Sequence, residues 1–396
     1  MSSCAAQLYK MAIDTLAYVV ESKDAPFVLR TVVLDDLQPS EVLVEIKYTG
    51  LCHTDVVVQE GGMPIGHFPA VLGHEGIGIV KQVGTDVKDK NLKPGDTVIL
   101  SFRSCGECKA CLNDRHGSCP RVTELSFLST ARADGSSPIS LPDGTPVHGQ
   151  FFGQSSLSKM AVVTEKSVVK VPAETSPADL QYLAPFSCGY LTGAGTVLNE
   201  FRPDADSTIA IVGMGPVGFA ALLTAKAIGV KNLVALDIVD SKLEIAAQLT
   251  GARTINNSSG SSTNASGESL SEKILATYPK GIDYILDTSG RAPLLQDSVK
   301  ALAHGGTLAL VGVPPPTATI EVNALNLLTS CKRIIGVIEG SANPKKVIPH
   351  LIELFNQGKF PVQQLTKIYP ANRLDEAIED VKRGKVVKVV LSWEGM

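Results

Sequence analysis

Thr208-Ile-Ala-Ile-Val-Gly213-Met-Gly215-Pro-Val-Gly218 is the stretch on which the fold turns. A short apolar run, rich in β-branched residues, enters a G-x-G-x-x-G loop and continues as a helical pattern from Phe219 to Ile228. Alone, such a loop is weak evidence. Here a second strand, Asn232-Leu-Val-Ala-Leu, ends at Asp237, a helix is predicted over Ser241 to Leu249, and further strands fit Asp283-Tyr-Ile-Leu and Thr307-Leu-Ala-Leu-Val. Strands alternating with helices predict a doubly wound parallel α/β sheet of the Rossmann type. Gly213 permits the tight turn, Gly215 lets backbone approach a pyrophosphate, and Gly218 lets the helix pack on the sheet. Pro216 and Val217 open that helix, whose free N–H groups suit phosphate. Asp237 lies nineteen residues after Gly218, where a carboxylate bonds the ribose 2′-hydroxyl. A 2′-phosphate there meets like charge, so NAD is favoured over NADP. Lys242, close by, leaves NADP open.

Upstream the rhythm differs. Residues 27–100 read as short β runs broken by glycine and proline, among them Glu41-Val-Leu-Val-Glu-Ile-Lys, Gly76-Ile-Gly-Ile-Val-Lys-Gln-Val and Asp96-Thr-Val-Ile-Leu. This suits a small barrel or sandwich. Strand pattern returns from Ser158 to Val171, and a last apolar strand is expected over Val386 to Leu391. Residues 257–268, rich in Ser, Asn and Gly, are low in complexity and predict a mobile surface loop.

The chain has 396 residues, 44 % of them hydrophobic, enough for two or three units with a sizeable core. Thirty-five glycines and twenty-three prolines argue against a helical bundle. A net charge of −4 leaves no basic stripe for nucleic acid and no polybasic membrane patch. No run approaches the length of a membrane span, and residues 1–20 lack a basic head and apolar core, so no signal peptide is expected.

Eight cysteines without a secretion signal make a disulfide framework a poor reading, and the cytoplasm is the expected location. Four of them crowd into fifteen residues: Cys105, Cys108, Cys111 and Cys119. Four thiolates close a tetrahedron, as a structural zinc site requires. A ferredoxin-like iron–sulfur cluster fits less well, because the last gap is seven residues rather than three. Cys52, His74 and Cys188 are further candidate ligands. Taken singly, each is better explained as a core residue.

Together, Cys52-His-Thr-Asp55, Gly73-His-Glu75, the four-cysteine lobe, Cys188 and the glycine loop resemble the zinc-dependent medium-chain alcohol dehydrogenases, over about residues 10–393. Phe151-Phe-Gly-Gln-Ser-Ser156 looks most like the aryl- (benzyl-) alcohol branch. The resemblance implies a β-rich, GroES-like catalytic domain over 1–189, carrying the zinc lobe near 101–125. It also implies a Rossmann domain over 190–337 and a return to the catalytic domain over 338–396. It implies Cys52, His74 and Cys188 as ligands of a catalytic zinc, with Glu75 beside the metal as an alternative ligand and Asp55 orienting His74. Thr54 would pass on the alcohol proton. His53 and Lys388 would touch the pyrophosphate, and Thr192 and Val217 the nicotinamide. Two zinc ions per chain, a nicotinamide dinucleotide, a small alcohol or aldehyde substrate, and a homodimer or homotetramer follow as expectations.

Three ligands leave the zinc one open position, at which an alcohol oxygen loses its proton more easily. Hydride then passes between carbinol carbon and nicotinamide. One departure stands out: where many relatives end the proton relay with a histidine, this chain has Val57. The relay must stop at the ribose, use water, or use His53; His67 is another nearby imidazole. Ser101 or Phe102 is the expected pocket residue, and Ser330 to Ile338 a candidate interface strand. The expected reaction is hydride transfer to or from a primary, ring-bearing alcohol or aldehyde, including biosynthetic reduction of a specialised metabolite. The alternatives are a glutathione-dependent formaldehyde dehydrogenase and a non-catalytic NAD-binding relative.

Overall fold

The structure is a computed structural model and describes residues 13–63, 67–128, 132, 134–258 and 268–396. Cys4 and nearly all of the low-complexity stretch at 257–268 lie outside the described residues.

The parallel sheet forms as the sequence indicates. Its six strands run, edge to edge, Arg253–Asn256, Asn232–Asp237, Thr208–Val212, Ile282–Asp287, Leu302–Leu310 and Arg333–Gly336, every neighbouring pair parallel. Counted along the chain the order is 3-2-1-4-5-6, which puts the switch point beside Thr208–Val212, the strand that feeds the glycine loop. Its residues Ile209, Ala210 and Ile211 are fully buried, as befits a strand covered on both faces. The helix Pro216–Ala227 begins with proline, whose missing N–H costs nothing at a helix start. The strand expected at Thr307 begins earlier, at Leu302, because a bulge between Ile282 and Tyr284 shifts the pairing.

Two further sheets make up the β-rich part. One runs Ala70–Val71, Ile13–Val20, Phe27–Leu34, Ile139–Ser140, Pro146–Val147. The other runs Val168–Lys170, Thr97–Leu100, Gly76–Val83, Glu41–Leu51, Lys388–Ser392, Thr366–Pro370, with Met160–Thr164 also paired to Glu41–Leu51. The two C-terminal strands therefore join the sheet built by the first half of the chain. Lys388–Ser392 lies antiparallel to the end of Glu41–Leu51, with Val389 opposite Leu51. This return sets Lys388 directly beside the segment that carries Cys52. No helix among the described residues is long and apolar enough to cross a membrane.

Candidate active site

Cys52 caps the seven-residue helix His53–Gln59. One turn in, Asp55 is wholly buried, and its carboxylate ties two segments together. It accepts from Cys52 N at 3.2 Å and Gly73 N at 3.0 Å, and its Oδ1 lies 3.0 Å from His74 Nδ1. His74 Nδ1–H therefore faces Asp55, and Nε2 is turned to the opposite side. Gly73 has φ +91°, and a Cβ there would stand 2.2 Å from Leu157 N, so only glycine allows the loop to deliver His74. The His74 ring stacks on Phe152 with centroids 4.5 Å apart, while Phe151 meets it edge-on. Gln154 donates to the carbonyls of His74 and Leu100 and accepts from Gly76 N. The Phe151-Phe-Gly-Gln motif is thus the wall that holds the imidazole in place.

His74 Nε2 is buried and has no hydrogen-bond partner among the described residues. An orphaned acceptor of this kind is costly unless something binds it. The ligand atoms of Cys52, His74, Glu75 and Cys188 all lie within 4.8 Å of one another. In the second cluster, Sγ–Sγ distances are 3.9 Å (Cys105–Cys111), 3.5 Å (Cys108–Cys111) and 3.5 Å (Cys119–Cys105). Four sulfurs about 2.3 Å from one tetrahedral ion stand about 3.8 Å apart. Both donor sets therefore fit zinc. In the first, the hydrogen bond with Cys188, opposed by burial and aided by His74, holds the Cys52 thiol well below its ordinary range, and Cys188 is driven up in return. Burial opposes ionisation of Cys105, yet N–H donors from Glu107 and Cys108 and the neighbouring thiols bring it down to about 6. Thiols poised in this way ionise when a cation arrives.

Glu75 is fully buried between Gly50 and Gly189: a Cβ on Gly50 would stand 2.0 Å from its Oε2. It accepts from Gly189 N at 3.3 Å and pairs with Lys388 Nζ at 2.5 Å. The Lys388 ammonium, 1 % exposed, also donates to Leu51 O at 3.0 Å. The expectation that Lys388 reaches the pyrophosphate is therefore corrected: the antiparallel pairing of its strand turns the ammonium inward, where it neutralises Glu75. His53 is exposed and lines neither the cavity beside Cys52 nor the groove beside Asp237.

At the glycine loop, each position has a distinct surrounding. Gly213 has φ +95°; a Cβ on Gly218 would lie 2.0 Å from Gly213 O; a Cβ on Gly215 would meet nothing within 4 Å. The open space at Gly215, before the bare helix N-terminus, is where a pyrophosphate fits. Beside it lies a groove of ≈ 370 Å³ lined by Gly213, Asp237, Ile238, Lys242, Ser289 and Arg383. Asp237 already accepts from Met214 N at 2.6 Å and from Ile238 N and Val239 N. Three N–H donors fix the carboxylate at the groove mouth.

The metal corner opens on a cavity of ≈ 240 Å³ that takes in Cys52, Thr54, Cys188, Thr192 and Val217, which brings these expected site residues together. Its outer wall is Met63, Val122, Phe127, Phe152, Val313 and Ile338. Ser101 and Phe102 do not line it. Ser101 Oγ is spent on Ser187 O at 2.6 Å and Phe102 is 2 % exposed in the core. Aromatic lining comes instead from the short helical segment Glu124–Leu128 that follows the cysteine lobe. Val57 also lies off the cavity, against Gly62. His67 sits elsewhere, 6.4 Å from the His148 ring in a separate cavity.

Glu339 was not expected. It is 7 % exposed and lines the cavity, its Oε1 3.6 Å from Cys188 Sγ and its Oε2 accepting from Thr192 Oγ1 at 3.3 Å. Burial pushes its carboxyl up to about 7. A signal existed: an acid ending the apolar run Ile334-Ile-Gly-Val-Ile-Glu339, three residues beyond the strand Arg333–Gly336.

Two family models match the chain, alcohol dehydrogenase GroES-like domain over residues 38–173 and zinc-binding dehydrogenase over residues 216–357. Geraniol dehydrogenase of Castellaniella defragrans is 34 % identical over 379 residues, covering 96 % of this chain and 98 % of its own. Two solved structures, each 35 % identical and covering 96 % of this chain and 99 % of their own, superpose closely. They are an alcohol dehydrogenase zinc-binding domain protein of Burkholderia ambifaria, at TM-score 0.89, and benzyl alcohol dehydrogenase of Acinetobacter calcoaceticus, at 0.87.

Proposed function

Given that this chain belongs to the zinc-dependent medium-chain alcohol dehydrogenases, we propose that it moves hydride between NAD(H) and a ring-bearing or branched allylic primary alcohol. The observation that carries this reading is the apolar lining of Phe127, Phe152 and Met63 in the same cavity as Cys52 and Cys188. Such a lining binds an apolar body and leaves its hydroxymethyl end at the metal corner. When bound, zinc supplies Lewis acidity toward the alcohol oxygen and the nicotinamide supplies the hydride acceptor. Cys52, His74 and Cys188 would hold the ion, with two thiolates bringing its net charge to about zero. Thr54 Oγ1, on the cavity wall, is placed to accept the alcohol proton while donating its own to the cofactor ribose or to water; the Val57 side chain offers no acceptor to continue that path. The apolar lining excludes water, which strengthens every electrostatic contact inside.

Asp237 supports NAD as the dinucleotide, and the reducing cytoplasm suits the free thiols found at all seven described cysteines. The parallel sheet ends in an open strand, Arg333–Gly336, near Leu325 and Leu328, which are 69 % and 74 % exposed. That edge favours a homodimer. Reduction of an aldehyde in a specialised pathway uses the same residues in reverse. The glutathione-linked alternative fits poorly, since the cavity lining holds no lysine or arginine for the peptide's carboxylates.

A cofactor-consumption screen tests the reading. With NAD, kcat/KM for benzyl alcohol, cinnamyl alcohol or geraniol is expected to exceed that for ethanol by at least about tenfold. Phe127→Ala is expected to remove roughly 10–100-fold of that preference, the worth of one buried ring. Equal rates with ethanol, or turnover of S-hydroxymethylglutathione alone, would contradict it.

A further inference from the structure

We propose that Glu339 is a displaceable ligand of the catalytic metal, closing from the cavity side the corner that substrate must take. This rests on the reading of Cys52, His74 and Cys188 as a metal site. On a tetrahedral ion with bonds of about 2.3 Å to sulfur and about 2.1 Å to oxygen, neighbouring donors stand about 3.6 Å apart. Cys188 Sγ and Glu339 Oε1 are 3.6 Å apart. Among the described residues Glu339 forms no ion pair, although it is 7 % exposed. The Cys188 thiol and the Thr192 hydroxyl hold its two oxygens, which keeps Oε1 beside the ligand sulfur on the cavity side.

The backbone reinforces the assignment. Glu339, Gly340 and Ser341 have φ of 49°, 60° and 50°, three left-handed residues in succession, two of them not glycine. Strain of this kind persists only where its surroundings enforce it, and it clusters at functional sites. The enforcement is visible. A Cβ on Gly340 would stand 2.7 Å from Gly195 Cα; Asn199 Nδ2 donates to Gly340 O at 3.0 Å; Ser118 Oγ donates to Ser341 Oγ at 2.9 Å; Gly117 N donates to Ala342 O. The helix Gly189–Gly195 and the cysteine lobe thus clamp the turn from two sides. Thr192 anchors Oε2, so Oε1 can leave the metal while the side chain stays tethered.

The test uses the full-length enzyme, with cobalt exchanged into the catalytic site, zinc kept in the lobe, and both metals counted per chain. Glu339→Gln keeps the shape of the side chain, and Glu339→Ala opens the corner outright. Both are expected to shift the visible ligand-field bands of cobalt, and Glu339→Ala to tighten binding of added imidazole about tenfold, since nothing need be displaced. Band positions and imidazole affinity identical to wild type, with both sites loaded, overturn the proposal. A single metal ion per wild-type chain overturns the metal reading itself, and the ligand role with it.

Discussion

The two sulfur-rich cages differ in how far the chain travels to build them. In the lobe, four donors come from one loop, Cys105 to Cys119, with no carboxylate among them. In the catalytic cage, Cys52, His74, Glu75 and Cys188 come from three distant segments, and the cage opens on an apolar cavity. The first is closed by its own sequence. The second exists only because buried charge is balanced around it: Asp55 on His74, and Lys388 on Glu75. Closed coordination suits a brace, and open coordination suits chemistry. The two are also joined, since Gly117 and Ser118 of the lobe touch the turn that presents Glu339.

A paired substitution breaks this comparison most forcefully. Cys52→Ser is expected to lower kcat/KM by about 10³-fold or more, the several kcal/mol that a Lewis acid supplies, while zinc in the lobe and the melting temperature change little. Cys105→Ser is expected to do the reverse: one zinc lost per chain and Tm lower by roughly 5–10 °C, or 2–4 °C per kcal/mol. Metal analysis, calorimetry and steady-state rates on both variants decide it, and an equal loss of activity and Tm in the two would erase the distinction.

Lys388→Met sharpens it. Removing one partner of a buried ion pair strands the other, here at a cost of about 3 kcal/mol by urea unfolding. Adding Glu75→Gln to the same chain is expected to recover most of that loss. A lone Lys388→Met variant as stable as wild type would show that the ammonium faces solvent and is free for a phosphate.

The unequal legibility of the two cages follows from the same difference. Cys105 to Cys119 declare themselves by spacing, and Gly213, Gly215 and Gly218 by a strand before and a helix after, because both are local. Cys52, His74 and Cys188 are joined by no spacing rule; only the order of several motifs, and the family they resemble, connects them. The family resemblance puts Lys388 at the pyrophosphate, in a last apolar strand. Its burial depends on a pairing between residues more than three hundred positions apart. Phe127 lies in an unremarkable Glu-Leu-Ser-Phe-Leu run, and Ser101 looked nearer the pocket because the path of the chain beneath Ser187 is a tertiary fact. Glu339 hides behind an unusual backbone that no side-chain pattern announces.

Anomalous scattering at the zinc edge from crystals of the zinc-replete enzyme tests the central claim most directly. Two peaks per chain are expected, one among the four lobe sulfurs and one about 2.0–2.3 Å from Cys52 Sγ, His74 Nε2 and Cys188 Sγ together. A single peak in the lobe, with His74 Nε2 bound to water alone, would contradict it.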